Sequence, residues 1–383
     1  MFPVKKIKSR SYFVSTNSIC QGAQAPILWA VLMKTYVIHI NFAYRTFIWN
    51  SEAKEKAHVH CVIIGFSKKS KKNKKIYGSG GYYEMAENIS PYLTNSPNVF
   101  VTQKNVPLCK VPRMIFGNQP RDDGNFIIDK KEYNDILSKE SKLKKWLFTY
   151  IGAKEFLHNQ HRWCLWLKHA EPSDIKNSRI LYSKVEKVRI FRENSNAKTT
   201  RGYAKIPQCF AQMIQPEDKD FLIIPRVSLE NRRYVPIGFM DSNVIASDAV
   251  QIIPGTTLYE FGVLESNVHM AWMRTVAGRL KSDYRYSAKI VYNNFPWPTP
   301  TEEQKKKIAE TAQGILDARA LYPSSSLADL YDELTMPVEL RKAHQANNRA
   351  VMAAYGLPIK GTTESDAVAK LFDMYEKLVS TSK

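Results

Sequence analysis

His58-Val59-His60-Cys61-Val62-Ile63-Ile64-Gly65-Phe66 is a short run dominated by β-branched and aromatic side chains, and it reads as a buried strand. Upstream, Val37 to Phe47 has the same composition and reads as a second strand. Pro26 to Lys34 (Pro-Ile-Leu-Trp-Ala-Val-Leu-Met-Lys) reads as a buried helix with proline in its first turn. Tyr12 to Ile19 begins β-rich and dissolves into Ser, Thr and Asn, a strand ending in a loop. The order strand, helix, strand, strand predicts the tail end of a Rossmann-like α/β sheet, with an antiparallel hairpin at its edge. Such a sheet binds its cofactor at a Gly-rich turn near its first strand. Here the Gly cluster, Gly78-Ser79-Gly80-Gly81, follows the strands and opens no βαβ unit, so the nucleotide-handling half is not read in these residues.

The charge balance names a class of partner. Among 383 residues, 56 Lys and Arg stand against 36 Asp and Glu, a formal net charge of +20. That balance points to a polyanion, with nucleic acid first, more than to an acidic small molecule. A membrane surface would want a basic amphipathic helix or a long apolar run, and the sequence has neither. The five cysteines (Cys20, Cys61, Cys109, Cys164, Cys209) are odd in number, far apart and form no Cys-x-x-Cys pair. They predict reduced, mostly buried thiols in a cytoplasmic protein, without a disulfide framework or zinc site. Met1 to Arg10 is basic but leads into no signal-peptide pattern. Lys68 to Lys75 holds six lysines in eight positions. It reads as a solvated loop that would strengthen phosphate contact, and it marks the end of the first segment.

From Gly78 to Pro298 short apolar runs (Phe126 to Ile128, Phe221 to Ile224, Val250 to Ile253) alternate with turn residues and with helical stretches at Lys142 to Ile151 and Val268 to Gly278, which predicts a mixed α+β domain. Within it, Gly278-Arg279-Leu280-Lys281-Ser282-Asp283-Tyr284-Arg285-Tyr286 concentrates charge. An extended segment would set Arg279, Lys281, Asp283 and Arg285 on one face. Lysine offers donors to guanine O6 and N7 while aspartate accepts from cytosine N4, so Lys281 and Asp283 suit the two halves of one G·C pair. An ordinary solvated strand face remains the competing reading. Ser195 to Arg201 reads as a polar loop whose Lys198, Thr199, Thr200 and Arg201 suit DNA-backbone contact, against the same solvated alternative. Trp163 and Trp166 read as core. His58 with His60, and His158 with His161, have metal-ligand spacing but no third ligand, so no metal site and no catalytic residue are assigned.

The last segment reads as helical: a Thr301 cap with an apolar stripe from Ile308 to Ala320, a break at Tyr322 to Ser326, a helix from Pro337 to Tyr355, and another from Ser365 to Val379, together a small bundle.

Several blocks in fixed order are similar to the MmeI-like DNA methyltransferases, single-chain restriction-modification enzymes. They are Phe13 to Ile19, Ile40 to Phe47, Val59 to Phe66, Phe116-Gly117-Asn118-Gln119-Pro120, Arg162 to Leu167, Ile224 to Ser228, Gly278 to Pro298 and Leu316 to Pro323. The resemblance implies residues 1–75 as the C-terminal part of a methyltransferase domain, 76–300 as a target-recognition domain and 301–383 as a C-terminal helical region that helps enclose double-stranded DNA. It implies S-adenosylmethionine as the cofactor of the full-length family and adenine-N6 as the methylated position. The family's Asn-Pro-Pro-aromatic tetrapeptide, which holds the target base, has no counterpart in these 383 residues. The expectation is therefore a DNA-recognition portion that binds no cofactor and transfers no methyl group alone, with a catalytic half elsewhere. The alternative is an inert truncated remnant with only nonspecific DNA binding.

Overall fold

The computed structural model describes residues 11–50 and 58–381; the basic Met1 to Arg10 run lies outside them. Strand β1 (Ser11–Thr16) runs into a 3-10 turn at Asn17–Cys20, then helix α1 (Gln24–Ala30), which continues as a π turn at Val31–Thr35. β2 (His39–Asn50), β3 (His58–Ser67), β4 (Lys74–Tyr77) and β5 (Tyr83–Ala86) complete a sheet of order β1-β3-β2-β4-β5. β3 is antiparallel to both its neighbours and β4 is parallel to β2, as expected of the end of an α/β sheet. Trp29 of α1 is wholly buried, bonds Ile19 O at 2.9 Å through its indole N–H, and meets Phe66 edge-on. On the opposite face the Phe42 ring lies flat over Gly65, where a Cβ would fall 2.1 Å from a ring carbon, and so reaches Tyr12. The lysine run is a loop only as far as Asn73. Lys74 and Lys75 belong to β4, with the buried Lys74 donating to Glu87 O and Lys75 over the Tyr83 ring, because β4 pairs with β2 and β5.

The middle region holds three small sheets, which is the mixed α+β class expected. β6 (Ile115–Phe116) and β7 (Ile127–Ile128) precede α2 (Lys130–Lys139), β8 (Leu147–Ile151), α3 (Ala153–His158) and β9 (Trp163–Leu165). Helices α4 (Pro172–Lys176), α5 (Arg179–Glu193) and α6 (Lys198–Gly202) follow. β10 (Phe221–Pro225), β11 (Val227–Ser228), β12 (Gly238–Met240), β13 (Ile245–Ala246) and β14 (Val250–Pro254) come next. One sheet has order β12-β10-β14-β6 and a second β13-β8-β9-β7. The expected helix at Lys142 to Ile151 is instead a 3-10 turn, Ser141–Trp146, followed by β8. Leu147-Phe148-Thr149-Tyr150-Ile151 has the β-branched and aromatic content of a strand, and pairing with β9 and β13 decides the matter.

α7 (Leu258–Leu264) and α8 (Asn267–Val276) then lead to β15 (Gly278–Leu280) and β16 (Asp283–Arg285), which join β11 in a third sheet. α8 is buried almost all round, through Val268, His269, Met270, Ala271, Trp272 and Met273, as a helix at the centre of a core must be. A π turn at Ala288–Tyr292 precedes α9 (Glu302–Ala320), α10 (Leu327–Leu330), α11 (Val338–Ala354) and α12 (Glu364–Thr381). The Thr301 cap forms, with Thr301 Oγ1 accepting from Gln304 N at 3.2 Å. One apolar cluster is continuous from Trp29 and Ile64 of the first sheet, through Trp272 and Phe295, to Leu340 and Phe372 of the last helices. Phe126, Trp166 and Phe210 centre a separate cluster beneath α2 and α5. Each large side chain so buried contributes roughly 1.5–3 kcal/mol. All five cysteines are free thiols. Among the described residues no helix is long and apolar enough to cross a membrane.

Candidate nucleic-acid interface

The segment read as one extended strand is a tight hairpin. α8 ends where Ala277 turns extended, and Gly278 then packs backbone to backbone on Gly22, where a Cβ would lie 3.0 Å from Gly278 Cα. Gly22 N also donates to Val276 O at 3.0 Å, which roots the hairpin on the turn that leads into α1. β15 and β16 pair Gly278 with Arg285, Arg279 with Tyr284, and Leu280 with Asp283, leaving Lys281 and Ser282 as the turn. Paired residues share a face, so the alternation expected across four charges is broken. Arg279 shares its face with Tyr284, while Asp283 and Arg285 lie on the other. Lys281 sits exposed at the tip with φ of +57°, a left-handed conformation uncommon outside glycine.

The four charged side chains have different freedom. Arg279 is only 13% exposed: it donates to Ser282 O at 2.6 Å, pairs with Glu230 at 3.3 Å and lies 4.0 Å over the Tyr284 ring. It braces the turn. Asp283 is half-buried and accepts from Glu230 N at 3.3 Å through one oxygen. Lys281 and Arg285 are exposed and make no ion pair among the described residues. Beside the hairpin, Arg226, Arg285 and Leu280 line a concavity of about 430 Å³. Arg226 is fixed there by donating to Asp248 O at 2.8 Å and by stacking 5.0 Å over Phe116. Nothing in its local sequence marks it, because its place depends on pairing between β11 and β16. Behind the hairpin, Tyr286 and His269 are fully buried and bond to each other at 2.8 Å, and burial pushes the His269 imidazolium down to about 3, so the ring is neutral.

The polar stretch after α5 is not a loop throughout, since Lys198 to Gly202 closes into α6. Lys198, Thr199 and Arg201 are exposed and Thr200 is buried. Arg201 donates to Ser195 O and Asn196 O, at 2.7 and 3.0 Å. Arg121, distant in sequence, donates to Thr199 Oγ1 and Thr200 Oγ1, each at 3.3 Å, and so joins this patch. The Phe116 to Pro120 block just before it anchors that loop. Gly117 lies against the Ser247 carbonyl, and the wholly buried Asn118 bonds Gln215 Oε1, Ala246 O and the amides of Ile214 and Gln215.

The His58 side chain lies outside those described. His60 faces Glu230 at 3.7 Å, His158 ends α3, and His161 stacks with Trp163. Among the described residues no three His, Cys, Asp or Glu side chains gather in a way that could hold a metal ion. Trp166 is core and Trp163 stacks on Tyr133. The Gly78 cluster occupies the turn between β4 and β5 rather than a strand-to-helix junction.

Comparison with known proteins agrees with this architecture along its length. Residues 2–78 match the family model described as the MmeI DNA-methyltransferase domain, 95–299 the MmeI target recognition domain, and 300–382 the MmeI C-terminal domain. The chain belongs to the MmeI family. It is 38% identical over 343 residues to DNA methyltransferase A of Bacillus subtilis (strain 168), covering 90% of this chain and 39% of that protein. It is also similar to the type IIL restriction-modification enzyme MmeI solved in complex with DNA, at 46% identity and a TM-score of 0.88, over 97% of this chain and 50% of that one. The MmeI-family chain described here thus spans half or less of the length of these relatives.

Proposed function

We propose that this chain is the DNA-recognition part of an S-adenosylmethionine-dependent, adenine-N6 DNA methyltransferase of a restriction-modification system. The observation that carries the reading is the hairpin: Lys281 stands exposed at the tip of a turn braced by Arg279, Asp283 offers an acceptor at the start of β16, and the exposed Arg285 lies further down that strand beside Arg226. Lys281 and Asp283 address one G·C pair in the major groove, and Arg285 with Arg226 extends the same contact along the groove. Arg279 supports the turn at its base. Lys198, Thr199 and Arg201, with Arg121, hold the sugar-phosphate backbone and set the register without reading sequence; Thr200, expected among them, is buried and accepts from Arg121 instead. Methyl transfer requires a flipped adenine facing a methyl donor, and this chain has neither the tetrapeptide nor the glycine loop for that. The part these residues play is recognition, and alone they bind double-stranded DNA without turning over cofactor.

The test is selection of a randomised duplex pool by the purified chain at about 150 mM salt, followed by sequencing of the bound fraction. A recovered motif that loses one G·C position in Lys281→Ala and Asp283→Ala supports the reading. Unselected DNA, with binding that collapses as salt rises, would leave a basic remnant in its place. Radiolabel transfer from S-adenosylmethionine by the chain alone would overturn the division of labour.

A further inference from the structure

Arg192 is the most completely enclosed cation of the middle region, and it touches no carboxylate. It lies in the last turn of α5 with no solvent exposure. Its Nε donates to Arg121 O at 3.0 Å, one terminal nitrogen donates to Pro120 O at 2.8 Å and Cys209 O at 2.7 Å, and the other donates to Tyr203 O and Ile206 O, each at 3.0 Å. All five guanidinium N–H groups are spent on backbone carbonyls. Asp122, a neighbouring carboxylate, uses its oxygens on the amides of Gly124 and Phe126 instead. Burying a cation with no carboxylate bonded to it is costly, and an apolar side chain would fill the same space at lower cost. What the arrangement supplies is position.

The five carbonyls belong to two segments, 120–121 and 203–209, joined at their edge by the isolated bridge between Gln119 and Gln212 and by Ala211 N donating to Pro120 O at 3.2 Å. Backbone strain is concentrated at the same place: Arg121 has φ of +46° and Asp123 +52°, conformations that persist only where the surroundings over-determine them. On the outer side of this knot stands the patch already described, with Arg121 against the Thr199 and Thr200 hydroxyls and 5.9 Å over the Tyr203 ring, and Lys198 and Arg201 exposed beside it. We infer that Arg192 is a positioning residue for phosphodiester contact, holding the Arg121 segment and the segment after α6 in the single arrangement in which Arg121, Lys198 and Arg201 meet one stretch of DNA backbone. Lysine, with three donors on one atom, cannot span five carbonyls.

The inference rests on the DNA-binding reading above, and its test separates the two. Duplex affinity is measured against salt concentration for the wild-type chain, Arg121→Ala, Arg192→Met and Arg192→Lys, using the duplex recovered by selection and a scrambled one. Each lost phosphate contact lowers the log–log salt slope by about 0.9. Arg121→Ala is expected to lower it by about 1. Arg192→Met is expected to lower it by about 2 to 3 and to weaken both duplexes at least tenfold, with the ratio between them unchanged; Arg192→Lys is expected to recover only part of the loss. A folded Arg192→Met with the wild-type slope overturns the inference alone, whereas a wild-type chain that binds no duplex overturns the DNA-binding reading and the inference with it. Should Arg192→Met fail to fold, hydrogen exchange of the wild-type chain decides: DNA is expected to slow the amides of residues 119–123 and 203–209 together, and unchanged exchange there overturns the inference.

Discussion

Replacing Arg319 by methionine should cut the tie between the middle region and the C-terminal helices. Arg319, on α9, pairs with Glu265 at 2.7 Å, donates to Ile237 O at 2.6 Å, and donates to the Tyr331 hydroxyl, which in turn meets His344 Nε2 at 2.8 Å. Glu265 is wholly buried; one oxygen also accepts from Ile237 N at 2.9 Å, and the other has no partner. Methionine keeps most of the volume but leaves the Glu265 carboxylate without its counter-charge and the Ile237 carbonyl without its donor, both away from water. Removing one member of such a pair costs about 3–5 kcal/mol. Burial already pushes Glu265 up to about 7 against the pull of Arg319. An acid raised in the folded state contributes stability that is fully present below its unfolded value and is lost as pH rises through the folded one. Without Arg319 the folded value moves higher still, so the variant goes on losing stability at pH values where the wild-type chain no longer does, by on the order of 1 kcal/mol per pH unit. Urea unfolding followed by tryptophan fluorescence at pH 6 and pH 8 should show a larger deficit at pH 8, largely restored by Glu265→Gln in the same chain. A deficit under about 1 kcal/mol at pH 8, or one that shrinks as pH rises, refutes the reasoning.

Other substitutions test other parts. Gly117→Ala would place a Cβ 2.0 Å from the Ser247 carbonyl oxygen, a backbone atom that cannot swing aside; it should cost roughly 3 kcal/mol and lower the thermal midpoint accordingly. His269 is neutral in the fold and held down to about 3, whereas the unfolded ring titrates near 6.5. Its contribution is therefore present above 6.5 and is lost as pH falls below that, by on the order of 1 kcal/mol per unit. His344, buried and likewise held well down, adds to the same acid loss; His269→Leu should flatten the pH dependence of the urea midpoint between pH 6.5 and 5. Lys281→Ala and Asp283→Ala should each cost about 1–3 kcal/mol on the selected duplex and relax one base-pair position, while Lys198→Ala weakens all duplexes alike, as competitive binding to variant duplexes would report.

The elements most legible in the sequence were those whose signal is local. Val59 to Phe66 announces its strand through continuous β-branched content, and Thr301 with Gln304 announces the start of α9 through a capping box. The hairpin was hidden because its turn, Lys281-Ser282, has none of the Gly, Asn or Asp that ordinarily marks a left-handed position. β8 was hidden because Lys142 to Ile151 carries its lysines and apolar residues at a spacing that fits a helix, and only pairing with β9 settles it. Arg226 and Arg121 acquire their places from residues 22 and 78 positions further along, Asp248 and Thr199, a relation no window of sequence contains.

The apolar cluster that runs from the first sheet to α12 bears on how this region can be cut and exchanged. A boundary drawn near residue 94 or 300 passes through shared packing, with Phe372 of α12 touching Tyr92 before the first boundary and Trp272 between the two. Neither fragment would keep its interior dry. The middle region is therefore not a cassette: a graft that transfers it to a related enzyme must carry α8, the π turn and the last four helices as a single inheritance. The lobe around Phe126 and Phe210, with its own interior, is the part that a chimera can replace by itself.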